Sequence, residues 1–186
     1  MGGHEKRNAD TASAGPTREP TGGPLTVAHL IYGYLGAGKT TFAKQLEQRH
    51  RAVRYSPDEW LVALYGHDPP AERFAEFSER VFGVIDEQWP RVVARGVDVV
   101  LDFGFWSRSA RDAARRLASK AGAGTRLYYL TCAEATARER CRRRNHSGDG
   151  SLFITENTFE VLKPRFEPLA SDEPFELVDS SREGAG

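Results

Sequence analysis

The sequence is poor in the features that mark several large classes of protein. Its 186 residues contain only two cysteines, Cys132 and Cys141, which are too few for a disulfide framework and form no metal-binding pair by spacing. No apolar run approaches the roughly 18 residues that a membrane span needs. Basic and acidic side chains balance at 26 each, which argues against a strongly basic nucleic-acid-binding protein. Together these absences favour a cytoplasmic protein with no membrane partner.

The composition changes along the chain and so indicates where the folded unit lies. Hydrophobic residues make up 39% of the sequence, which is enough to build a core. Residues 1–24, however, are rich in glycine and proline and have almost no large apolar side chains. We predict a disordered N-terminal tail over residues 1–24, one folded domain over 25–179 and a flexible C-terminus over 180–186.

Strand-like and helix-like segments alternate within the predicted domain. Their apolar character predicts strands at 25–32, 51–55, 97–103, 125–131 and 175–178. Helices are predicted at 38–50, 57–65, 71–95, 107–120, 133–145 and 155–166, with a kink or break at Pro90 and a break near Pro164. Five strands separated by helices predict an α/β fold of three layers, in which helices cover both faces of a parallel sheet.

One motif carries more chemical information than any other. Residues 33–40, GYLGAGKT, match the phosphate-loop pattern G-x-x-x-x-G-K-[ST] and lie between a predicted buried strand and a helix. In such a loop the backbone N–H groups surround phosphate oxygens, and the helix N-terminus favours the same anion. Lys39 would bind the β- and γ-phosphates, and the Thr40 hydroxyl would bind Mg²⁺. The predicted nucleotide-binding residues are Gly33, Gly36, Ala37, Gly38, Lys39, Thr40 and Thr41.

Two aspartates follow predicted strands, at the edge of the sheet where ligands bind. Asp102 ends an apolar run and is predicted to lie on the Mg²⁺ side of the phosphate loop; a solvated or helix-capping role is the alternative. Asp58 is predicted to accept a proton from a substrate hydroxyl, and a favourable interaction with the helix dipole is the alternative. Ser56 and Glu59, beside it, fit a capping box.

Five arginines are concentrated on one predicted helix, at positions 138, 140, 142, 143 and 144. Because arginine forks match the equatorial oxygens of a transferring phosphoryl group, we predict that at least one of them contacts phosphate. The helix and the loop that follows, residues 145–150, would form a mobile lid. A solvated basic face is the alternative for each arginine. Arg108 and Arg111 are predicted to contact an anionic substrate or to lie in solvent.

Other side chains allow less specific interpretations. The aromatic segment at residues 103–106 directly follows Asp102, and it either lines a substrate pocket or packs in the core. No metal-ligand spacing links the histidines. A structural or solvated role is therefore predicted for His29, His50, His67 and His146.

Four segments occur in an order that resembles a known family: GYLGAGKTT, YSPDEW, VVLDFGFWSRSARDAAR and CRRRN. Over about residues 27–178, the chain resembles the small bacterial P-loop kinase-like proteins often named AAA-type ATP-binding proteins. Their relatives include zeta toxins, chloramphenicol phosphotransferase and polynucleotide kinases. The resemblance implies an adenylate-kinase-like, five-stranded P-loop NTPase fold, ATP and Mg²⁺ as cofactors, and a hydroxyl as acceptor.

The same resemblance implies roles for individual residues. It implies phosphate-loop roles for Lys39 and Thr40, a general base at Asp58 and a Mg²⁺-side carboxylate at Asp102. Arg144, in the Arg-Asn pair, matches a catalytic lid arginine. Arg140 lies four residues earlier and shares a helix face with Arg144, so it is predicted to act with it.

The match to polynucleotide kinases is incomplete. Those enzymes usually carry an arginine three residues after the base, where this chain has Leu61. They carry another four residues after the Arg-Asn arginine, where this chain has Gly148. We therefore predict an ATP- and Mg²⁺-dependent kinase that acts on a hydroxyl of a small molecule. A polynucleotide 5′-hydroxyl kinase and a nucleotide-binding switch without an acceptor are the alternatives, and the sequence does not identify the acceptor.

Overall fold

The computed structural model describes residues 25–147 and 152–182. Its strands are β1 (Val27–Gly33), β2 (Val53–Tyr55), β3 (Val99–Gly104), β4 (Gly124–Thr131) and β5 (Glu176–Asp179). Its α-helices are α1 (Lys39–His50), α2 (Pro57–Tyr65), α3 (Phe74–Val93), α4 (Arg108–Lys120), α5 (Glu134–Ser147) and α6 (Glu156–Leu162). Short 3₁₀ turns occur at Ala71–Arg73, Lys163–Arg165 and Ser180–Arg182. The predicted tail, residues 1–24, lies outside the described residues.

The strands form one parallel sheet in the order β2-β3-β1-β4-β5. β1 lies in the middle of the sheet, and its residues 28–33 are all buried. The predicted α/β fold with a five-stranded parallel sheet is therefore confirmed. Because the strands are parallel, the loops that follow β1, β2 and β3 lie at the same edge. Among the described helices, none is both long enough and apolar enough to cross a membrane.

The pleat of the central strand divides the core between the two faces of the sheet. Leu30 and Tyr32 pack on one face, in a cluster that includes Trp89 of α3. Ile31 lies between them in sequence and packs on the opposite face, with Leu46 of α1. This alternation follows from the period-two geometry of a strand that is covered on both sides.

Pro90 and Pro164 have different effects on helices α3 and α6. Helix α3 continues through Pro90 to Val93, so this proline does not break the helix although it supplies no backbone N–H. The preceding residue, Trp89, is fully buried and donates a hydrogen bond from Nε1 to Asp86 Oδ1 at 3.2 Å. By contrast, α6 ends two residues before Pro164, as predicted.

The folded unit extends further than the predicted boundary at residue 179. Ser180 is 1% exposed and lies in a 3₁₀ turn that follows β5 directly. Its hydroxyl donates a hydrogen bond to the Ala37 carbonyl oxygen at 2.7 Å. The prediction of a flexible C-terminus over residues 180–186 was therefore wrong at its start, because sequence composition does not show such a long-range contact.

A buried ion pair attaches the segment before β5 to helix α4. Arg111 is 0% exposed, and its Nε and Nη2 donate hydrogen bonds to the two oxygens of Glu173, both at 2.8 Å. Arg111 Nη1 also donates to the Phe105 carbonyl oxygen at 3.0 Å. The hydrogen bonds that Arg111 donates to Glu173 lower the pKa of Glu173 to about 2. The expectation that Arg111 contacts a substrate or solvent was wrong, since the side chain has a structural partner.

Replacing Arg111 alone by methionine should remove both hydrogen bonds of the buried pair and leave Glu173 with those from Arg115 Nη1 and the Ala170 N–H. Because breaking a buried ion pair costs about 3–5 kcal/mol, we expect Arg111→Met to lower the free energy of unfolding by about that amount. Urea denaturation at pH 7 measures this loss. The matched control is Arg80→Met, since Arg80 pairs with exposed Glu76 and such pairs contribute about 0–1 kcal/mol. Equal losses in the two variants would contradict the structural role.

Candidate active site

The phosphate loop joins β1 to α1, and its shape depends on glycine. Gly36 and Gly38 have φ angles of 71° and 84°, in the left-handed region that residues with a Cβ rarely adopt. A Cβ on Gly36 would also lie 2.3 Å from the backbone oxygen of Ala137 in α5. At the strand end, a Cβ on Gly33 would lie 3.0 Å from the Leu130 oxygen of β4. Glycine is thus required where the loop turns and where α5 approaches it.

Two side chains brace the outside of the loop. The Ser180 hydroxyl binds the carbonyl oxygen of Ala37, a buried loop residue. Arg140 Nη2 in turn donates to the Ser180 carbonyl oxygen at 2.8 Å, and its Nη1 lies 3.5 Å from the Gly36 oxygen. Arg140, which was predicted to act in catalysis, therefore lies against the backbone of the phosphate loop.

The first turn of α1 presents the polar end of the motif. Thr40 and Thr41 are exposed, whereas Lys39 folds back across the loop and donates from Nζ to the Tyr34 carbonyl oxygen at 2.8 Å. Burial lowers the pKa of Lys39, and the nearby carboxylates of the site act in the opposite direction. The ammonium group thus occupies the concave side of the loop, where phosphate groups bind in loops of this type.

Asp102 lies at the carboxyl end of β3, and only 3% of its side chain is exposed. Burial raises its pKa, while the charge of Lys39 and a hydrogen bond with Thr40 oppose this shift. Asp102 Oδ2 has no hydrogen-bond donor among the described residues. Arg54 Nη1, at 3.7 Å, is too distant to donate one. A buried oxygen that lacks a donor, beside a threonine hydroxyl, fits the oxygen ligands that Mg²⁺ prefers.

Asp58 lies in the first turn of α2 and is exposed to solvent. Protein atoms nevertheless crowd its carboxylate, and the resulting desolvation raises its pKa. The positive charges of Lys39 and Arg144 act in the opposite direction. Asp58 in turn contributes to the raised pKa of Asp102. The structure therefore brings the lysine, both aspartates and one arginine within electrostatic reach of one another.

The other arginines of α5 have different surroundings. Arg138 forms ion pairs with Glu134, at 2.7 Å, and with Glu160 of α6, so it joins the two helices. Arg142 pairs with a glutamate one turn earlier on the exposed side. Arg144, by contrast, is the arginine of this helix whose charge acts on the lysine and the α2 aspartate of the site. For Arg142 the structure favours the solvated alternative, whereas Arg138 has a structural role between the two helices.

Helix α5 takes in the first half of the predicted lid loop, because it extends to residue 147. Asn145 fastens this end of the helix to the segment before α6. Its Nδ2 donates to the Ile154 carbonyl oxygen at 2.6 Å, and its Oδ1 accepts from the Ile154 N–H at 3.1 Å. The remainder of the predicted loop, residues 148–150, lies outside the described residues.

Sequence reasoning did not identify Arg54 of β2, which shapes this site. Its guanidinium donates to Glu59, at 2.7 Å, and to Glu47, at 3.2 Å, and it faces Asp102. Because Glu59 is engaged with Arg54, the predicted capping box does not form, and Ser56 makes no capping hydrogen bond. A charged residue at the centre of a three-residue strand was the available signal, since a sheet strand rarely buries arginine without acidic partners.

The predicted aromatic segment divides between the core and the loop. After β3 the chain turns sharply at Gly104 and Phe105, which have φ angles of 82° and 46°. Phe105 is buried and stacks on Phe103. The turn brings Trp106 to the phosphate loop, where Nε1 donates to the Gly33 carbonyl oxygen at 3.0 Å. Trp106 thus holds the start of the loop, while the two phenylalanines pack in the core.

The variant Asp102→Asn should be more stable than the wild type at neutral pH in the absence of nucleotide. Burial raises the pKa of Asp102 above 3.8, so the folded state binds its proton more tightly than the unfolded state, and the charged form opposes folding. The difference in Tm should therefore be large at pH 7.5 and shrink as the pH falls toward about 5. Thermal unfolding at both pH values measures it. Asp68→Asn, which changes an exposed residue, serves as control, and a less stable Asp102 variant at pH 7.5 would contradict the interpretation.

Comparison with known proteins adds a family and a set of similar folds. The profile of a family described as AAA domain matches residues 29–169. A search of curated protein sequences found no match. Among solved structures, the chain is similar to a protein of Chloroflexus aurantiacus J-10-fl, with a TM-score of 0.70, 16% identity and coverage of 86% of this chain and 91% of that chain.

Two further structures carry ligands or names that bear on function. Chaetomium thermophilum Kti12 in complex with ADP-AlF3 has a TM-score of 0.64 and 20% identity, over 82% of this chain and 89% of that chain. A gluconokinase from Sinorhizobium meliloti 1021 has a TM-score of 0.56 and 20% identity, over 83% of both chains. At these identities the likeness establishes the fold alone.

The family match covers well over half of the chain and includes the phosphate loop from its first glycine. The matched region also contains β3 with Asp102 and helix α5. Sequence family, parallel sheet and phosphate loop agree with the kinase-like resemblance of the sequence and support nucleotide binding. The chain belongs to the AAA-domain family and has its P-loop kinase-like fold.

Proposed function

We propose that this protein is an ATP- and Mg²⁺-dependent phosphotransferase that acts on a hydroxyl group of a small molecule. The observation that carries the proposal is the convergence of Lys39, Asp58, Asp102 and Arg144 beside a phosphate loop. Phosphoryl transfer needs a cradle for phosphates, positive charge near the transferring group and a residue that orients or deprotonates the acceptor. This set of side chains has a candidate for each requirement.

The nucleotide phosphates would bind in the concave side of the loop. Lys39 would exchange its hydrogen bond with the Tyr34 carbonyl oxygen for contacts with β- and γ-phosphate oxygens. The backbone N–H groups of residues 33–41 would bind the remaining oxygens, with the N-terminus of α1 directed at the same charge. The hydrogen bond from Ser180 to the Ala37 carbonyl oxygen supports this role, because it fixes the backbone of the loop.

Thr40 and Asp102 are the residues that would hold Mg²⁺. The Thr40 hydroxyl forms a hydrogen bond with Asp102. The Asp102 Oδ2 atom has no hydrogen-bond partner among the residues described. When bound, the ion would offset negative charge on the phosphate oxygens. Until then the Asp102 carboxylate is a desolvated charge, which Lys39 and Arg54 partly balance.

Asp58 is proposed as the base that prepares the acceptor. The acceptor oxygen would form a bond to the γ-phosphorus while the bond from that phosphorus to the bridging oxygen of ADP breaks. The hydroxyl proton would pass to the Asp58 carboxylate. Desolvation raises the pKa of Asp58, and a carboxylate of higher pKa is the stronger proton acceptor.

The two arginines predicted to be catalytic are proposed to have separate tasks. Arg144, whose charge acts on Asp58 and Lys39, would offset charge on the transferring phosphoryl group. Arg140 is bonded to the Ser180 carbonyl oxygen and lies beside the Gly36 oxygen. We propose that Arg140 positions the loop instead of contacting the reacting atoms.

The packing of α2 bears on the size of the acceptor. Leu61 stands where polynucleotide kinases usually carry an arginine, and its side chain is 2% exposed and packed in the core. In this chain the position is therefore part of the core and provides no contact for an oligonucleotide phosphate. The similarity to a gluconokinase is compatible with a small acceptor. A polynucleotide 5′-hydroxyl kinase and a switch without acceptor are the competing functions.

The variant Asp58→Asn should lose phosphoryl transfer and keep nucleotide binding. Removal of a general base typically lowers the rate about 10²–10⁴-fold, whereas the loop contacts to ATP are unchanged. A panel of hydroxyl metabolites and hydroxylated antibiotics, assayed with ATP and Mg²⁺, first identifies an acceptor. Steady-state kinetics with that acceptor and calorimetric titration with ADP then measure the two properties. Asp68→Asn is the matched control, because it makes the same change at an exposed position outside the site.

Each competing function has a distinct result in the same experiments. Full activity of Asp58→Asn would favour the nucleotide-dependent switch, as would ATP binding without transfer to any member of the panel. Transfer to a 5′-hydroxyl oligonucleotide, with salt-dependent binding, would favour the polynucleotide kinase. Failure to bind ADP or ATP at all would remove the proposal.

The variant Ser180→Ala should weaken nucleotide binding with little effect on the transfer step. It removes the hydrogen bond to the Ala37 carbonyl oxygen, and a hydrogen bond of this kind contributes about 0.5–1.5 kcal/mol. We expect KM for ATP to rise by about 2–10-fold while kcat changes less than twofold. The neighbouring Ser181→Ala removes an exposed hydroxyl and should leave both constants unchanged. An unchanged KM in Ser180→Ala would contradict the bracing role.

A further inference from the structure

Three potential metal ligands converge at the edge of the sheet opposite to the phosphate loop. His29 lies near the start of β1, His50 is the last residue of α1, and Asp98 directly precedes β3. His29 Nε2 lies 3.6 Å from Asp98 Oδ2, and His50 Nδ1 lies 3.9 Å from the same oxygen. All three ligand atoms lie within 4.8 Å of one another. The cluster therefore brings two imidazoles and one carboxylate to a common point.

The buried histidine has an atom that the protein leaves without a hydrogen bond. His29 is 1% exposed, and its Nε2 has no hydrogen-bond partner among the described residues. Its separation from the Asp98 oxygen is too long for a hydrogen bond. An unpaired polar atom at this depth costs free energy. Nε2 is directed toward the other two ligands, where an ion would satisfy it.

The groups around the cluster hold the ligand atoms in a form that can bind a metal. His29 Nδ1 lies 3.0 Å from the Tyr128 hydroxyl oxygen, and donation of its N–H to that oxygen leaves the lone pair on Nε2. Asp98 Oδ1 accepts a hydrogen bond from the Val27 N–H at 2.9 Å, which leaves Oδ2 available. Such second contacts orient metal ligands in known sites.

We propose that His29, His50 and Asp98 form a binding site for a divalent transition metal of the Zn²⁺ type. Imidazole nitrogens favour Zn²⁺ and related ions over Mg²⁺ or Ca²⁺. With bonds of about 2.0–2.1 Å, tetrahedral ligand atoms lie about 3.3 Å apart, so the present separations need to shorten by less than about 1.5 Å. The side chains of His50 and Asp98 are 29% and 25% exposed and can make that movement.

The site is independent of the proposed phosphotransfer chemistry. Its ligands lie at the amino ends of β1 and β3 and at the far end of α1, whereas the nucleotide would bind at the carboxyl ends of the strands. Three protein ligands leave a fourth position, which the partial exposure of His50 and Asp98 opens to water. The bound ion would cross-link α1, β1 and the start of β3. The prediction that these histidines are only structural or solvated is revised by this proposal, since spacing along the chain does not show ligands from three elements.

The experiment uses the full chain, stripped of metal with a chelator and free of nucleotide. Co²⁺ alone is the spectroscopic probe, and Zn²⁺ binding is measured by calorimetry. We expect one equivalent of each ion to bind, with the d–d absorption of tetrahedral Co²⁺ and no thiolate charge-transfer band. Zn²⁺ should raise Tm, and an excess of Mg²⁺ should not displace it. In addition, nitrogen resonances of His29 Nε2 and His50 Nδ1 in the wild type should shift on Zn²⁺ binding.

Matched variants distinguish the cluster from other ligands. His50→Gln and Asp98→Asn should each weaken Zn²⁺ binding at least about tenfold. His67→Gln and Asp68→Asn make the same chemical changes at exposed positions and should change it less than about twofold. Circular dichroism checks the fold of each variant, and the wild-type resonances decide the question if a variant does not fold.

Several results would overturn the proposal. They are the absence of stoichiometric binding to the wild type, a Zn²⁺ affinity in both cluster variants equal to that of the wild type, and unshifted resonances of the two histidines. A thiolate band would assign the bound ion to Cys132 or Cys141 instead. None of these results bears on the proposed kinase function, whose tests contain no transition metal.

Discussion

The close approach of helix α5 to the phosphate loop is the contact on which the candidate active site depends. The backbone of Ala137 lies so near Gly36 that a single additional carbon atom would not fit between them. This contact places Arg140 against the loop and brings Arg144 within reach of Lys39 and Asp58. The glycine of the motif therefore has two functions, since it permits the left-handed turn and also admits the helix that carries the arginines.

The charges of Lys39, Asp58 and Asp102 favour a ligand-binding role over a stabilising one. Burial raises the pKa values of Asp58 and Asp102 and lowers that of Lys39, so each charged form is disfavoured by its surroundings. The opposite charges offset only part of that cost. Desolvated charges of this kind interact more strongly with a bound polyanion and cation than they would in water. Such groups are concentrated where binding and catalysis take place.

The Arg111–Glu173 pair is buried as well, but its chemistry differs. Its donors and acceptors are matched, with two hydrogen bonds of 2.8 Å between the side chains. The pKa of Glu173 falls to about 2, whereas those of the cleft aspartates rise. The two kinds of buried charge thus differ in whether their charged atoms all have hydrogen-bond partners. This difference separates a structural role from a ligand-binding role within one small domain.

The sequence predicts the parts of this protein that depend on local patterns. The apolar run before GYLGAGKT, the strand that carries Asp102 and the start of α2 at Pro57 all follow from local patterns, and the fold places them as expected. Arg54, Arg111 and Ser180 were missed or assigned differently because their partners come from distant segments. A single sequence records neither the pairing of Arg111 with Glu173 nor the meeting of His29 with His50. Local periodicity predicts the elements, but side-chain partners depend on how those elements pack.

The hydrogen bond between Ala37 and Ser180 joins residues that are 143 positions apart. Because β1 pairs with β3 and β4, the central strand also has no neighbour in the sheet until β3, which begins at Val99, has been synthesised. A ribosome that makes the chain from its amino end thus releases the phosphate loop long before the loop can take its final shape. Contacts of such long sequence separation form slowly. The phosphate loop, although synthesised before β3, β4 and Ser180, would then mature only after them.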